Sequence, residues 1–257
     1  MNIFQNMIEL YNHLSPGSTY RFALKGILIH LREACDASIY ELADLTSSSR
    51  TTIWRMLQML GYENYSDFRS ALKQAIRNYT YYNRVIGDRT DGTEQMIGQI
   101  AGQLETTAQN VKDHLSIPEL SIMAKQIAGK NQVFFFFPYR SAAIYSFQQN
   151  LSMAGIGTFV ACLLPEMLEC AEQAGERSFV FCSTIEYAET MDMTGLFEVL
   201  RDRKAEIALF AAGDSRYDKY VDHTLCKLEK HDDALSGLLI YDMYIYALSE
   251  IFRNNYM

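Results

Sequence analysis

From residue 2 to residue 79 the apolar positions recur at helical spacing. Residues 2–14 place Ile3, Met7, Ile8 and Tyr11 on one side, and Ser15-Pro16-Gly17 ends that run. Residues 19–34 repeat the pattern with Leu24, Ile27, Leu28 and Leu31. Ser38 with Glu41 forms a capping box, so the next helix starts there, with Ile39, Leu42, Ala43 and Leu45 facing inward. Thr46, Ser47 and Ser48 interrupt it with side chains that compete for backbone hydrogen bonds. Ser49 caps a further helix whose apolar stripe is Ile53, Met56, Leu57 and Leu60. Its opposite stripe is Thr51, Trp54, Arg55 and Gln58, and Gly61 suits a left-handed terminus. Ser66 is expected to cap a last helix to Tyr79, burying Phe68, Ala71, Leu72, Ala75 and Ile76. The sum is a five-helix head over residues 1–79 with no β-wing.

Periodicity lapses over residues 80–92, which read as a linker ending in Asp91-Gly92. Tyr79, Tyr81 and Tyr82 with Arg77 and Arg84 either touch a nucleic-acid backbone or pack on the following domain. Residues 93–257 form the second domain. Met96, Ile97, Ile100, Leu104, Val111 and Leu115 line one face of a long helix, and Pro118 opens another through Ala128. The texture then changes. Val133–Phe137 is a continuous apolar run, as expected of a strand buried on both faces. A helix over 141–153 follows, then a strand over 158–163 and a helix over 165–173. Strands over 178–182, 205–211 and 223–227 alternate with a helix over 189–201 and a terminal helix. The expected fold is therefore two domains, an all-α head and an α/β doubly wound, five-stranded parallel sheet.

The 257 residues are 49% hydrophobic and 21% charged, the values of a globular protein. A formal charge of −8 argues against a generic nucleic-acid binder, but the charge is uneven. Residues 1–89 hold ten Lys/Arg against eight Asp/Glu; the remainder holds thirteen against twenty-three. A weakly basic head on an acidic body confines any DNA contact to the head. Five scattered cysteines without a CxxC, and five histidines without an HExxH, fit a reduced cytoplasmic protein with no metal and no cofactor. The start MNIFQNMIEL lacks the basic region of a signal peptide. The apolar run 234–252 is broken by Ser236, Asp242, Ser249 and Glu250, so no membrane span is expected. Glu166 and Glu169 share a helical turn as a solvated face, and His223 and His231 lack a nucleophile, so no catalytic set emerges.

Residues 38–62 have the layout of a helix-turn-helix, although an ordinary αα-hairpin shares that pattern. The run Ser49, Thr52, Arg55, Leu60, Gly61, Tyr62, Tyr65 and Phe68 resembles the DNA-binding domain of the RpiR family of bacterial transcriptional regulators. The resemblance implies that Ser49, Arg50 and Thr52 meet phosphates or first bases of a double-stranded operator. It turns Thr51, Trp54, Arg55 and Gln58 toward the major groove. Trp54 packs either on thymine methyls and sugars or on the head itself.

The whole-chain plan is similar to that family's as well, whose second domain is a sugar isomerase (SIS) domain that dimerises and senses phosphosugars. SIS domains carry Gly-x-Gly-x-Ser after strand one and Ser-x-Ser-Gly-x-Thr after strand three, where glycine amides and hydroxyls cradle a phosphate. Here the loops are Phe137-Pro138-Tyr139-Arg140-Ser141 and Cys182-Ser183-Thr184-Ile185-Glu186-Tyr187, so the glycines are gone. The expected effector residues are Arg140, Ser141, Ser183, Thr184 and Glu186, for a sugar or sugar phosphate. The alternative is a vestigial pocket in a domain that mainly dimerises. A regulator of carbohydrate-related genes, homodimeric and not an enzyme, is the function this resemblance implies. A sugar-phosphate isomerase-like enzyme and a protein-binding adaptor are the competing classes.

Overall fold

The structure, a computed structural model, describes residues 3–77, 92–184, 192–211, 213–225 and 234–257. The chain divides into two compact units, Met1–Asn83 with Cys162–Glu166, and Arg84–Ala161 with Met167–Met257.

The head holds α1 (Ile3–His13), α2 (Thr19–Ile29), α3 (Leu31–Ala34), α4 (Ile39–Leu45), α5 (Arg50–Met59) and α6 (Tyr65–Arg77). Phe4, Met7, Leu24, Ile27, Leu42, Ile53, Met56, Leu57, Phe68 and Leu72 form its core. Three expectations change. In α1 the buried stripe is Ile3, Phe4, Met7 and Leu10, while Ile8 faces out. The helix expected over 19–34 breaks at His30, whose φ of −123° and ψ of 37° leave the helical region. The redirected turn buries Ala34 and Cys35 and exposes Ile29. The cap of α6 is Asn64 rather than Ser66: its Oδ1 accepts the Asp67 N–H at 2.9 Å and its Nδ2 donates to the Asp67 carboxylate at 2.7 Å. An Asx side chain two residues earlier reaches the free amides that Ser66, already inside the helix, cannot.

The body opens with α7 (Thr93–His114) and α8 (Ile117–Ala128). Then come β1 (Gln132–Phe136), α9 (Ala142–Met153), β2 (Gly157–Ala161), α10 (Leu164–Ala171), β3 (Ser178–Ser183) and α11 (Thr194–Asp202). It closes with β4 (Glu206–Phe210), β5 (His223–Leu225) and α12 (Ala234–Tyr256). All five strands are parallel, in the order β2-β1-β3-β4-β5. Strand alternation sends Val133, Phe135 and Phe137 into one core with α7, α8, α9 and α12, and Phe134 and Phe136, equally buried, to the other face. Phe135 stacks on Phe181 at 5.3 Å and meets Phe147 edge-on at 5.9 Å. Each such ring contributes about 2–3 kcal/mol of burial free energy.

The long apolar stripe expected on α7 is buried only in its second half. Met96 and Ile97 are exposed, whereas Val111 is fully enclosed. Burial starts at Thr107, whose hydroxyl bonds Ser236 of α12 at 2.9 Å. The direction of the strand order reverses between β1 and β3, so the carboxyl ends of those two strands face the position where doubly wound sheets hold ligands.

Candidate nucleic-acid interface and effector site

In the head, two helices are set by local chemistry. Ser38 accepts from the Glu41 N–H at 3.3 Å, and the Glu41 carboxylate accepts from the Ser38 N–H at 2.7 Å. That second bond holds the Glu41 carboxyl below its usual range. Thr46 ends α4 with its hydroxyl on the Leu42 carbonyl at 2.8 Å. Ser47, at φ +49°, turns the chain, and the Ser48 N–H returns to the Ala43 carbonyl at 2.8 Å. Ser49 caps α5 by accepting the Thr52 N–H at 3.0 Å, and the two hydroxyls lie 2.9 Å apart. At the far end, Gly61 takes φ +87°, with its N–H on the Gln58 carbonyl and the Tyr62 N–H on the Leu57 carbonyl. That left-handed stop lets Tyr62 pack edge-on against Phe68 at 5.5 Å, and burial pushes its phenol up to about 12.

The result divides α5 lengthwise. Ile53, Met56 and Leu57 have no exposure at all. Ser49, Arg50, Thr51, Arg55 and Gln58 are exposed, and Thr52 and Trp54 are half-buried. The helix carries two arginines and no carboxylate. Arg50 lies over the ring of Tyr40 at 4.4 Å, a contact that the sequence pattern did not single out. The exposed face is a strip of donors of the kind that meets base edges and phosphates. Of the residues raised as possible backbone contacts, Arg77 is exposed at the end of α6, and Tyr79, Tyr81, Tyr82 and Arg84 lie outside the described residues.

Among the described residues, the carboxyl ends of β1 and β3 are packed with side chains. Ser183 is fully buried, and its hydroxyl bonds the hydroxyl of Tyr241 on α12. Thr184 is buried as well, with its N–H on the Phe210 carbonyl at 3.0 Å and its hydroxyl on the same oxygen at 3.4 Å. The Tyr241 ring sits 5.4 Å from Phe137, 5.5 Å from Phe210 and 5.8 Å from Tyr139. Ser141 caps α9, accepting the Ile144 N–H at 3.3 Å, and Arg140 beside it is half-buried. Next to Ser141 stands Asp242, whose Oδ1 is buried without a hydrogen-bond partner. Burial pushes its carboxyl up, and a hydrogen bond with Ser141 pulls the other way. Glu186 lies outside the described residues. Arg140, Ser141, Ser183 and Thr184 thus occupy the expected region, but the hydroxyls of Ser141, Ser183 and Thr184 are committed to protein partners.

Sequence spacing did not point to Tyr241 or Asp242; the usable signal was the tyrosine-rich run Tyr241-Asp242-Met243-Tyr244 on an otherwise apolar helix. Two open hollows, of about 400 and 490 Å³, lie at the opposite, amino ends of the strands. The second contains His223, which meets Glu206 at 3.0 Å, and Glu206 also pairs with Lys130 at 2.8 Å. Glu166 accepts the Cys162 N–H at 3.2 Å, a local structural bond. No group of three His, Cys, Asp or Glu side chains among the described residues is placed to hold a metal ion. No described helix is long and apolar enough to cross a membrane.

Residues 3–79 match the family model for a helix-turn-helix domain of the rpiR family. No curated protein matches the chain in sequence. Among solved structures, one similar chain is the Vibrio vulnificus NanR protein complexed with ManNAc-6P. It is 15% identical over 97% of this chain and 90% of that one, with a TM-score of 0.47. The sugar isomerase domain of an RpiR transcription factor from Sphaerobacter thermophilus is 12% identical over 62% of this chain and 97% of that one, TM-score 0.43. The C-terminal domain of glucosamine-fructose-6-phosphate aminotransferase from Francisella tularensis is 13% identical over 80% of this chain and 53% of that one, TM-score 0.45.

Proposed function

From the premise that residues 3–79 are a helix-turn-helix domain of the rpiR family, we propose that the chain is a cytoplasmic, DNA-binding transcriptional regulator and not an enzyme. The observation that carries this reading is the division of α5, with Ile53, Met56 and Leu57 sealed in the core and Arg50, Thr51, Arg55 and Gln58 exposed. A helix held rigidly along one side and armed with uncommitted donors along the other is what major-groove reading requires. Ser49, Arg50 and Thr52 then meet the phosphate backbone or the first bases, and Thr51, Trp54, Arg55 and Gln58 the groove. Residues 1–79 act as the reading head, 80–92 as the linker and 93–257 as the effector and dimerisation domain. Two copies related by a twofold axis set two heads on half-sites a helical turn or a multiple apart.

Fluorescence anisotropy on duplexes from around the protein's own gene tests this reading. Affinity should fall steeply as salt rises. Arg55→Ala should cost about 1–3 kcal/mol of specific binding if that side chain reads a base. Salt-independent binding, or none, removes the DNA reading.

For the body, the effector reading is a sugar or sugar phosphate at Arg140, Ser141, Ser183, Thr184 and Glu186. A ligand that bonds the Ser183 hydroxyl must first part it from Tyr241, so binding there displaces the Tyr241 side chain. An effector that favours one of two arrangements of the heads changes operator affinity by its difference in affinity for the two. A panel of sugars and sugar phosphates, read as a rise in the thermal midpoint, tests it. No shift with any member leaves dimerisation as the body's role.

A further inference from the structure

We infer that Tyr40 is a positioning residue of the DNA-binding surface, holding the Arg50 guanidinium at the start of α5 so that it meets a backbone phosphate. This rests on the DNA-binding reading above and extends it to a residue of α4. Three observations carry it. First, Tyr40 contributes nothing to the core. Its neighbours Leu42 and Ala43 are buried, whereas Tyr40 is 61% exposed. Second, one face of its ring is covered by Arg50, whose guanidinium carbon lies 4.4 Å from the centroid. Third, Arg50 is the first residue of α5, where a cation faces the positive end of the helix dipole, and no acidic residue occupies that first turn to offset it. Among the described residues no carboxylate pairs with Arg50. The charge is therefore held in an unfavourable place without an internal counter-ion, which makes sense if an external anion completes the arrangement.

The geometry suits that task. A guanidinium stacked on a ring uses only its flat face, and the N–H groups at its edge remain free for two oxygens of one phosphate. An unsupported arginine must surrender its rotamer freedom on binding. Stacking on Tyr40 removes part of that cost beforehand. Both residues are exposed, and Arg50 directly follows Ser49, the cap of α5. The contact reads no base, so its effect should be the same on any duplex.

The test is a double-mutant cycle on the full chain, with a mixed-sequence duplex at low salt as the probe. Arg50→Ala should weaken binding and lower the salt slope by about one. Tyr40→Leu, which keeps an apolar side chain but removes the ring, should weaken binding about two- to fivefold. Tyr40→Phe, which keeps the ring, should bind as the parent does. Combined with Arg50→Ala, Tyr40→Leu should add nothing further. Each variant is checked for an unchanged Trp54 emission, which shows that the head is folded. If Arg50→Ala weakens binding and Tyr40→Leu does not, the positioning role is wrong while the DNA reading stands. The same holds if Tyr40→Leu is equally harmful without Arg50, or if Arg50→Ala changes nothing. If the parent protein binds neither this duplex nor its own upstream DNA, both readings fall together.

Discussion

Gly26 sits where α2 crosses the turn between α4 and α5, and replacing it tests whether that turn is built as described. A Cβ at residue 26 would lie 2.9 Å from the Thr46 methyl and 3.0 Å from both the Thr46 Cα and Cβ. The Cα belongs to the backbone and cannot rotate away. The methyl is pinned as well, because the Thr46 hydroxyl is fixed on the Leu42 carbonyl at 2.8 Å in a site only 2% exposed. Two effects oppose each other in Gly26→Ala. Alanine gains about 1 kcal/mol of helix propensity over glycine inside a helix. Overpacking a closed contact costs about 1–3 kcal/mol. The balance is a net loss of up to about 2 kcal/mol. Urea unfolding followed by tryptophan emission is the assay, since Trp54, the one tryptophan in the chain, lies on α5 and reports the head alone. The midpoint should fall without a change of slope. Adding Thr46→Ser, which deletes the methyl, should recover part of the loss. A midpoint that rises by the full propensity gain would refute the close approach of α2 to the turn.

Ser49→Ala removes the acceptor for the Thr52 N–H at 3.0 Å. It should cost about 0.5–2 kcal/mol, read as a lower Trp54 midpoint, with Ser49→Gly losing less; an unchanged midpoint in Ser49→Ala would mean that water replaces the cap at no cost. Asp242 makes one contribution to the pH dependence: its native carboxyl lies above the ordinary 3.8, so the native state holds the proton more tightly than the unfolded chain. It favours folding at pH below that ordinary value, and the advantage is lost as pH rises through the native one. Asp242→Asn should therefore melt higher than the parent near neutral pH, with the gap closing in acid; a gap of constant size would show that the charge is not its source.

The head was largely readable because its signals are local. The Ser38–Glu41 box, the cap at Ser49, the stripe Ile53–Met56–Leu57–Leu60 and the stop at Gly61 each span four residues or a few turns, and each appears in the structure. What misled was degeneracy. Residues 3–11 offer apolar side chains at 3, 4, 7, 8, 10 and 11, and periodicity alone permits a face through Ile8 or one through Phe4 and Leu10. Only packing on α2 and α6 selects the second. Asn64 and Ser66 are both good caps by residue type, and spacing alone does not choose between them; α6 starts at Tyr65, whose hydroxyl donates to the Ala37 carbonyl at 2.8 Å. The face of α7 failed differently: its pattern is continuous over 96–115, but the helix finds a covering neighbour among the described residues only over its second half.

In the body the strands were legible from their apolar runs, while the state of the strand ends was not. Ser183 and Tyr241 are 58 residues apart, and no spacing rule joins them. The loop sequence and the packing at the strand ends nevertheless belong together. Where the resembled family has glycines, this chain has Phe137 and Tyr139, and their rings pack on Tyr241 together with Phe210. A glycine loop leaves room for a phosphate to reach backbone amides; aromatic side chains at the same positions fill that room and need a fourth ring to close the cluster. Shortening Tyr241 alone would therefore vacate space without restoring an amide cradle. On the proposed effector reading, the ligand to test first is one that rewards displacement of an aromatic ring, through stacking on Tyr139 or bonds to the freed Ser183 hydroxyl, rather than one that depends on phosphate charge.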